Sequence, residues 1–139
     1  MDDIDPRTGL VALTADECWE FLRSTPVGRL AVSIGGKPDI FPVNYVVEDD
    51  TIVIRTMPGI KLASALFGDS VAFEVDEINM ADHSGRSVVL HGTAEEVVGT
   101  EALLHTEELK LEPWADSPKY RYLRIKPTKV SGRRVPPPE

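Results

Sequence analysis

The sequence predicts a mainly β fold with peripheral helices, arranged as an antiparallel, Greek-key-like barrel. Three observations point there. Runs rich in β-branched and apolar residues recur at 29–34, 39–47, 51–56, 70–75, 87–98 and 120–125. The early runs are joined by tight turns, Gly35-Gly36 and Glu48-Asp49-Asp50. Such turns lay each strand beside its predecessor and make antiparallel pairs. No GxGxxG occurs, which argues against a βαβ dinucleotide unit.

In chain order, residues 1–9 read as a loose arm. Thr14 and Glu17 have capping-box spacing. Cys18, Trp19, Phe21 and Leu22 continue a helical apolar stripe, and Pro26 and Gly28 stop it near Ser24. Within the second strand, Pro42 implies an edge or a bulge. Met57-Pro58-Gly59 breaks the third strand, and 60–67 reads as a short helix. Residues 76–85 are polar and loop-like. The strand 87–98 contains Gly92, the mark of a bulge or sharp bend. A helix at 100–109, a loop carrying Trp114, a last strand and a tail at 131–139 complete a single expected domain over 1–139.

The formal net charge of −8 argues against a nucleic-acid backbone or an anionic membrane as the main partner. One cysteine, Cys18, allows no intramolecular disulfide, and no Cys/His cluster has metal-site spacing. The acidic N-terminal segment has no secretory pattern and no apolar run is long enough to span a bilayer, so a cytoplasmic location is expected.

Two segments have the chemistry of a binding site. Arg55-Thr56-Met57-Pro58-Gly59-Ile60-Lys61 runs from a strand end through a turn into a helix start. Unpaired amides at a helix N-terminus, two flanking cations and a hydroxyl suit a phosphate. The same pattern also fits a plain strand–turn–helix with two solvated cations. In Pro42-Val43-Asn44-Tyr45, Asn44 is a polar residue in an apolar strand: a buried amide would need a hydrogen-bonding partner, and an outward one would meet solvent. Trp114, Tyr120 and Tyr122 suit packing on a ring, in the core or at an interface. His83, His91 and His105 lack partners at catalytic or metal spacing. Ser87 and Ser131 lack a nucleophile-elbow context, and the acids form no glycosidase pair.

Taken in order, Gly28-Arg29-Leu30-Ala31-Val32-Ser33, Pro42-Val43-Asn44-Tyr45, Ile54-Arg55-Thr56 with Gly59 and Lys61, Val71 to Asp76, Ser87-Val88-Val89 with Gly92, and Gly132-Arg133-Arg134 resemble the pyridoxamine 5′-phosphate oxidase-like split-barrel family. The similar branch is the one that includes nitroimidazole-resistance proteins. The resemblance runs from about Leu13 to Arg134. It implies a split β-barrel that binds FMN at a homodimer interface. The phosphate would lie near Arg55, Thr56 and Lys61, Pro42 to Tyr45 would line the ring, and Ser87 would lie nearby. Relatives often carry tryptophan just before that serine, whereas this chain has Arg86. Residues that would grip pyridoxal phosphate are not recognisable. The implied activity is a flavin-dependent reduction of a small organic acceptor, in which the cofactor carries the redox chemistry and no protein acid or base is required. The alternatives are a deazaflavin-dependent reductase and a non-catalytic flavin- or haem-binding module. A deazaflavin's long acidic tail would favour a basic groove, which the net charge weakly opposes.

Overall fold

The computed structural model of the chain describes residues 3–56, 70–97 and 121–138. The expected helices at 60–67 and 100–109, the turn at Met57-Pro58-Gly59 and the loop carrying Trp114 lie outside the described residues. The described elements are β1 (Asp3–Ile4), β2 (Val11–Ala12), α1 (Ala15–Ser24), β3 (Val27–Ile34), β4 (Lys37–Glu48), β5 (Thr51–Thr56), β6 (Ser70–Asn79), β7 (Ser84–Glu96) and β8 (Arg121–Val135).

The strands pair in the order β1-β2-β8-β5-β4-β3-β6-β7, and a further β8–β7 pairing closes the last six into a barrel. All these pairs are antiparallel. Side-chain alternation then sends one set of residues inward. Leu30, Val32, Ile52, Ile54, Phe73, Val75, Val88, Leu90, Leu123 and Ile125 fill the interior, and Cys18, Phe21 and Leu22 of α1 join them. Helix α1 starts where predicted: the Thr14 hydroxyl accepts from Glu17 N–H at 3.1 Å, and the Glu17 carboxylate accepts from Thr14 N–H at 2.9 Å.

Two turns require special backbone. Gly35 and Gly36 have φ of 58° and 78°, and Asp49 and Asp50 have φ of 47° and 57°. Positive φ at both central residues is the turn that matches strand twist in a two-residue hairpin. Gly92 performs a different task. A Cβ there would lie 2.2 Å from the Lys126 carbonyl oxygen, so only glycine lets β8 come that close. At this point His91 pairs with Lys129 and Gly92 with Pro127, so Thr128 is an extra residue in β8. That bulge reverses the alternation, and both Ile125 and Val130 therefore face the core.

Four expectations change in extent. The arm at 1–9 contains β1, which pairs Asp3 with Ala12 and Ile4 with Val11. The polar stretch 76–85 is mostly strand, because β6 and β7 continue their ladder out to Asn79 and Ser84. Alternation there is masked by polar side chains at the exposed end of a hairpin. The last strand continues through 131–135 and pairs with both β7 and β2, so the tail is shorter than its composition suggests. Among the described residues there are also eight strands, more than the six runs read from the sequence.

Candidate functional site

The site is set by how β4 divides its two edges. From Lys37 to Asn44 it pairs with β3, whereas from Tyr45 to Glu48 it pairs with β5. Among the described residues, the edge of 37–44 that faces away from β3 has no neighbouring strand. The Tyr45 N–H donates to Pro26 O at 3.1 Å, which sets the alternation: residues 38, 40, 42 and 44 direct their backbone groups to the far edge. Prolines occupy 38 and 42, and the Ile40 N–H is taken by the Asp39 carboxylate at 2.9 Å. Asn44, the last position on that edge, adjoins the start of the β4–β5 pairing and is itself engaged. The edge is therefore blunted against another strand, yet it keeps its carbonyl acceptors.

The same alternation sorts the predicted ring strand. Pro42 and Asn44 face outward. Val43 is half-buried and packs on the core, and Tyr45 lies within it. The Tyr45 hydroxyl donates to Leu22 O at 2.6 Å and is hydrogen-bonded to the Thr25 hydroxyl, while its ring meets Phe73 edge-on at 4.8 Å. Burial pushes its phenol up, against the opposing pull of the Thr25 bond. Within this chain, then, the outer surface of the ring strand is made by alternate residues, not by all of Pro42 to Tyr45.

Arg55 lies one step beyond the Tyr45–Ile54 pair, where β4 and β5 part. It is half-buried and shares its outward face with Asn44. The fold thus brings Asn44 and Arg55 together at a fork, with Pro42 two residues along. Thr56 continues β5 and pairs through its backbone with Arg121. Lys61 lies outside the described residues. Ser87 is half-buried on the outer face of β7, opposite Asp76. It stands three strand spacings from Asn44 around the barrel, roughly 14 Å, so the fold does not place it at the fork. Beside the fork on the same outward face, Val53, Tyr122 and Val97 form a second small buried cluster, which gives Tyr122, opposite Arg55, a packing role.

Arg86 is turned away from this face. Its guanidinium lies 3.9 Å from the centroid of the Phe21 ring and pairs with Glu77 at 3.5 Å. The departure from tryptophan therefore serves contact with helix α1.

Sequence reasoning missed the charged cluster beside Pro42. Arg29, opposite Pro42 on β3, uses one guanidinium nitrogen to contact both Glu74 and Asp76 at 2.9 Å. Burial pushes the Glu74 carboxyl up, the adjacent Asp76 adds to the rise, and Arg29 opposes it. The spacing of Glu74 and Asp76 on one strand face was the available signal. Their common partner, 45 or more residues away, was not visible in the sequence.

An antiparallel barrel with a β4 that changes partners partway is the split-barrel architecture. The sequence matches the model of the pyridoxamine 5′-phosphate oxidase family over residues 14–134, and the chain belongs to that family. It is 35% identical to the FAD binding protein from Mycobacterium smegmatis, with a TM-score of 0.77 over 90% of this chain and 99% of that one. An FAD-binding protein from Mesorhizobium loti is 28% identical, with a TM-score of 0.70 over 91% of this chain and 99% of that one. An uncharacterized protein of Mycobacterium tuberculosis is 33% identical over 131 residues, which are 91% of this chain and 86% of that protein.

Proposed function

We propose that this chain binds a flavin nucleotide at the β4–β5 fork and acts as an oxidoreductase on a small organic acceptor. The observation that carries the reading is the fork itself. A proline-blunted strand edge keeps its carbonyls, and Asn44 and Arg55 share its outward face. A flavin ring has one polar edge that needs both donors and acceptors, and the Asn44 amide offers both. Arg55 suits a phosphate through charge-assisted bonds. The residues present therefore fit the group. When bound, flavin supplies hydride and electron transfer; the chain binds it, orients its ring and limits water around it.

FAD is the first nucleotide to test, because two relatives above 25% identity are named for binding it. FMN, the expectation from the sequence resemblance, is the second. The reading includes a homodimer. Residues 32–34 of β3 and 37–39 of β4 pair only with each other among the described residues, and this end of the hairpin carries Ile34 at 40% and the adjacent Ile40 at 59% exposure. A second copy is the partner that would cover these side chains.

The test is an absorbance spectrum of the purified protein with mass analysis of any released small molecule. The absorbance bands of an oxidised flavin, and FAD or FMN in the released fraction, are the expected result. A protein that stays colourless after incubation with both nucleotides contradicts the reading. Turnover of a reduced nicotinamide with a nitro or quinone acceptor then separates an enzyme from a binding module.

A further inference from the structure

Strand β8 is the basic element of an acidic protein. Its 15 residues, RYLRIKPTKVSGRRV, contain six Lys or Arg and no Asp or Glu, in a chain of net charge −8. Several of these cations have assigned work. Arg124 pairs with Glu48 at 3.3 Å and contacts the Thr51 hydroxyl at 2.7 Å, Lys126 pairs with Glu95 at 3.2 Å, and Arg134 lies in the field of Glu17. Lys129 and Arg133 are exposed and form no ion pair with any described residue.

The register puts these two on one patch. After the Thr128 bulge, Lys129, Ser131 and Arg133 face outward, opposite His91, Val89 and Ser87 on β7. Lys129 and Arg133 stand about 13 Å apart along β8, and their long side chains bracket the Ser131 hydroxyl. Ser87 adds a second hydroxyl, and His91 an imidazole. On β6, the acids Glu74 and Asp76 are both held by Arg29 on the side away from β8.

We propose that this β7–β8 face is an oxyanion site that takes the phosphate or carboxylate group of a small ligand. Two unspent cations with hydroxyl donors between them supply charge-assisted hydrogen bonds of the kind such a group needs. The patch spans two strands, which suits one anionic group, and the overall negative charge repels a polyanion.

The test is a ¹H–¹⁵N NMR titration with inorganic phosphate at constant ionic strength, with chloride as the control. Amides of residues 87–91 and 129–133 should shift with saturation for phosphate and not for chloride. In Lys129→Gln/Arg133→Gln the affinity should fall about tenfold or more, the loss expected when charge-assisted contacts are removed. Arg133→Lys, paired with native Lys129, should restore most of it. Both positions are exposed, so the fold should be kept, and an unchanged spectrum elsewhere verifies this. Repeating the titration with FAD present distinguishes the two sources of the group. Persisting phosphate shifts assign the site to a separate ligand, and abolished shifts assign it to the phosphates of the flavin; either result supports an oxyanion site. Equal shifts with chloride, or an undiminished response in the double variant, would overturn it.

Discussion

Arg29 holds two carboxylates with one guanidinium nitrogen, and this arrangement has a pH signature. Glu74 has a raised pKa in the fold, so its protonated form is favoured there. Its contribution to stability is present below its ordinary pKa and is lost as pH rises through the raised value. Arg29→Met removes the cation that offsets this. The variant should lose about 1 kcal/mol at neutral pH, in keeping with a half-exposed cluster. The loss should shrink as acid neutralises the carboxylates. Urea unfolding at pH 7 and pH 4 measures both; a pH-independent difference would mean that the cluster is not electrostatic.

Two other residues separate scaffold from site. Tyr45→Phe deletes a buried hydroxyl that bonds Leu22 O and Thr25, and should cost about 1–2 kcal/mol. Flavin affinity should not change, since that hydroxyl is turned into the core. Weakened binding in the folded variant would return Tyr45 to the site. Gly92→Ala drives a methyl against the backbone carbonyl of Lys126, which has no side-chain freedom with which to yield. A cost of about 1–3 kcal/mol in a urea melt is expected; an unaffected melt would mean that the bulge relaxes freely.

At the scale of elements, helix α1 was legible because its cap is local: Thr14 and Glu17 lie three residues apart, and each side chain bonds the other's backbone. Thr14→Ala should lower stability by about 1 kcal/mol in thermal or urea unfolding. The Gly35-Gly36 hairpin was legible for the same reason. Strand β4 was readable in part. Pro42 announced an edge, and the edge is there. The period-2 alternation that turns Val43 and Tyr45 inward was equally present in the sequence. The ends of β6, β7 and β8 were harder to read. Polar residues at an exposed hairpin end follow no inward pattern, and the Thr128 bulge shifts the alternation midway through β8. The Arg29 cluster and the pairing of Ser87 with Arg133 depend on register between distant strands, which a single sequence does not display.

At the scale of the whole molecule, barrel closure and site formation share one cause. β4 is too long for either neighbour alone, so it pairs with β3 along 37–44 and with β5 along 45–48. The first pairing leaves an edge, and the second ends where Asn44 and Arg55 meet. The acidic chain keeps its exposed β8 cations on a different part of the barrel wall from this fork. We propose that the fork holds a flavin nucleotide. The most direct measurement is a fluorescence titration of FAD, and in parallel FMN, into the wild-type protein and the Asn44→Leu variant. Leucine keeps roughly the volume of asparagine and removes its donors and its acceptor. The wild type should bind the nucleotide saturably. In the folded variant, affinity should fall about tenfold, the effect of roughly 1.4 kcal/mol of lost hydrogen bonding. Wild-type affinity in Asn44→Leu would contradict it, and the nucleotide would have to lie elsewhere on the barrel.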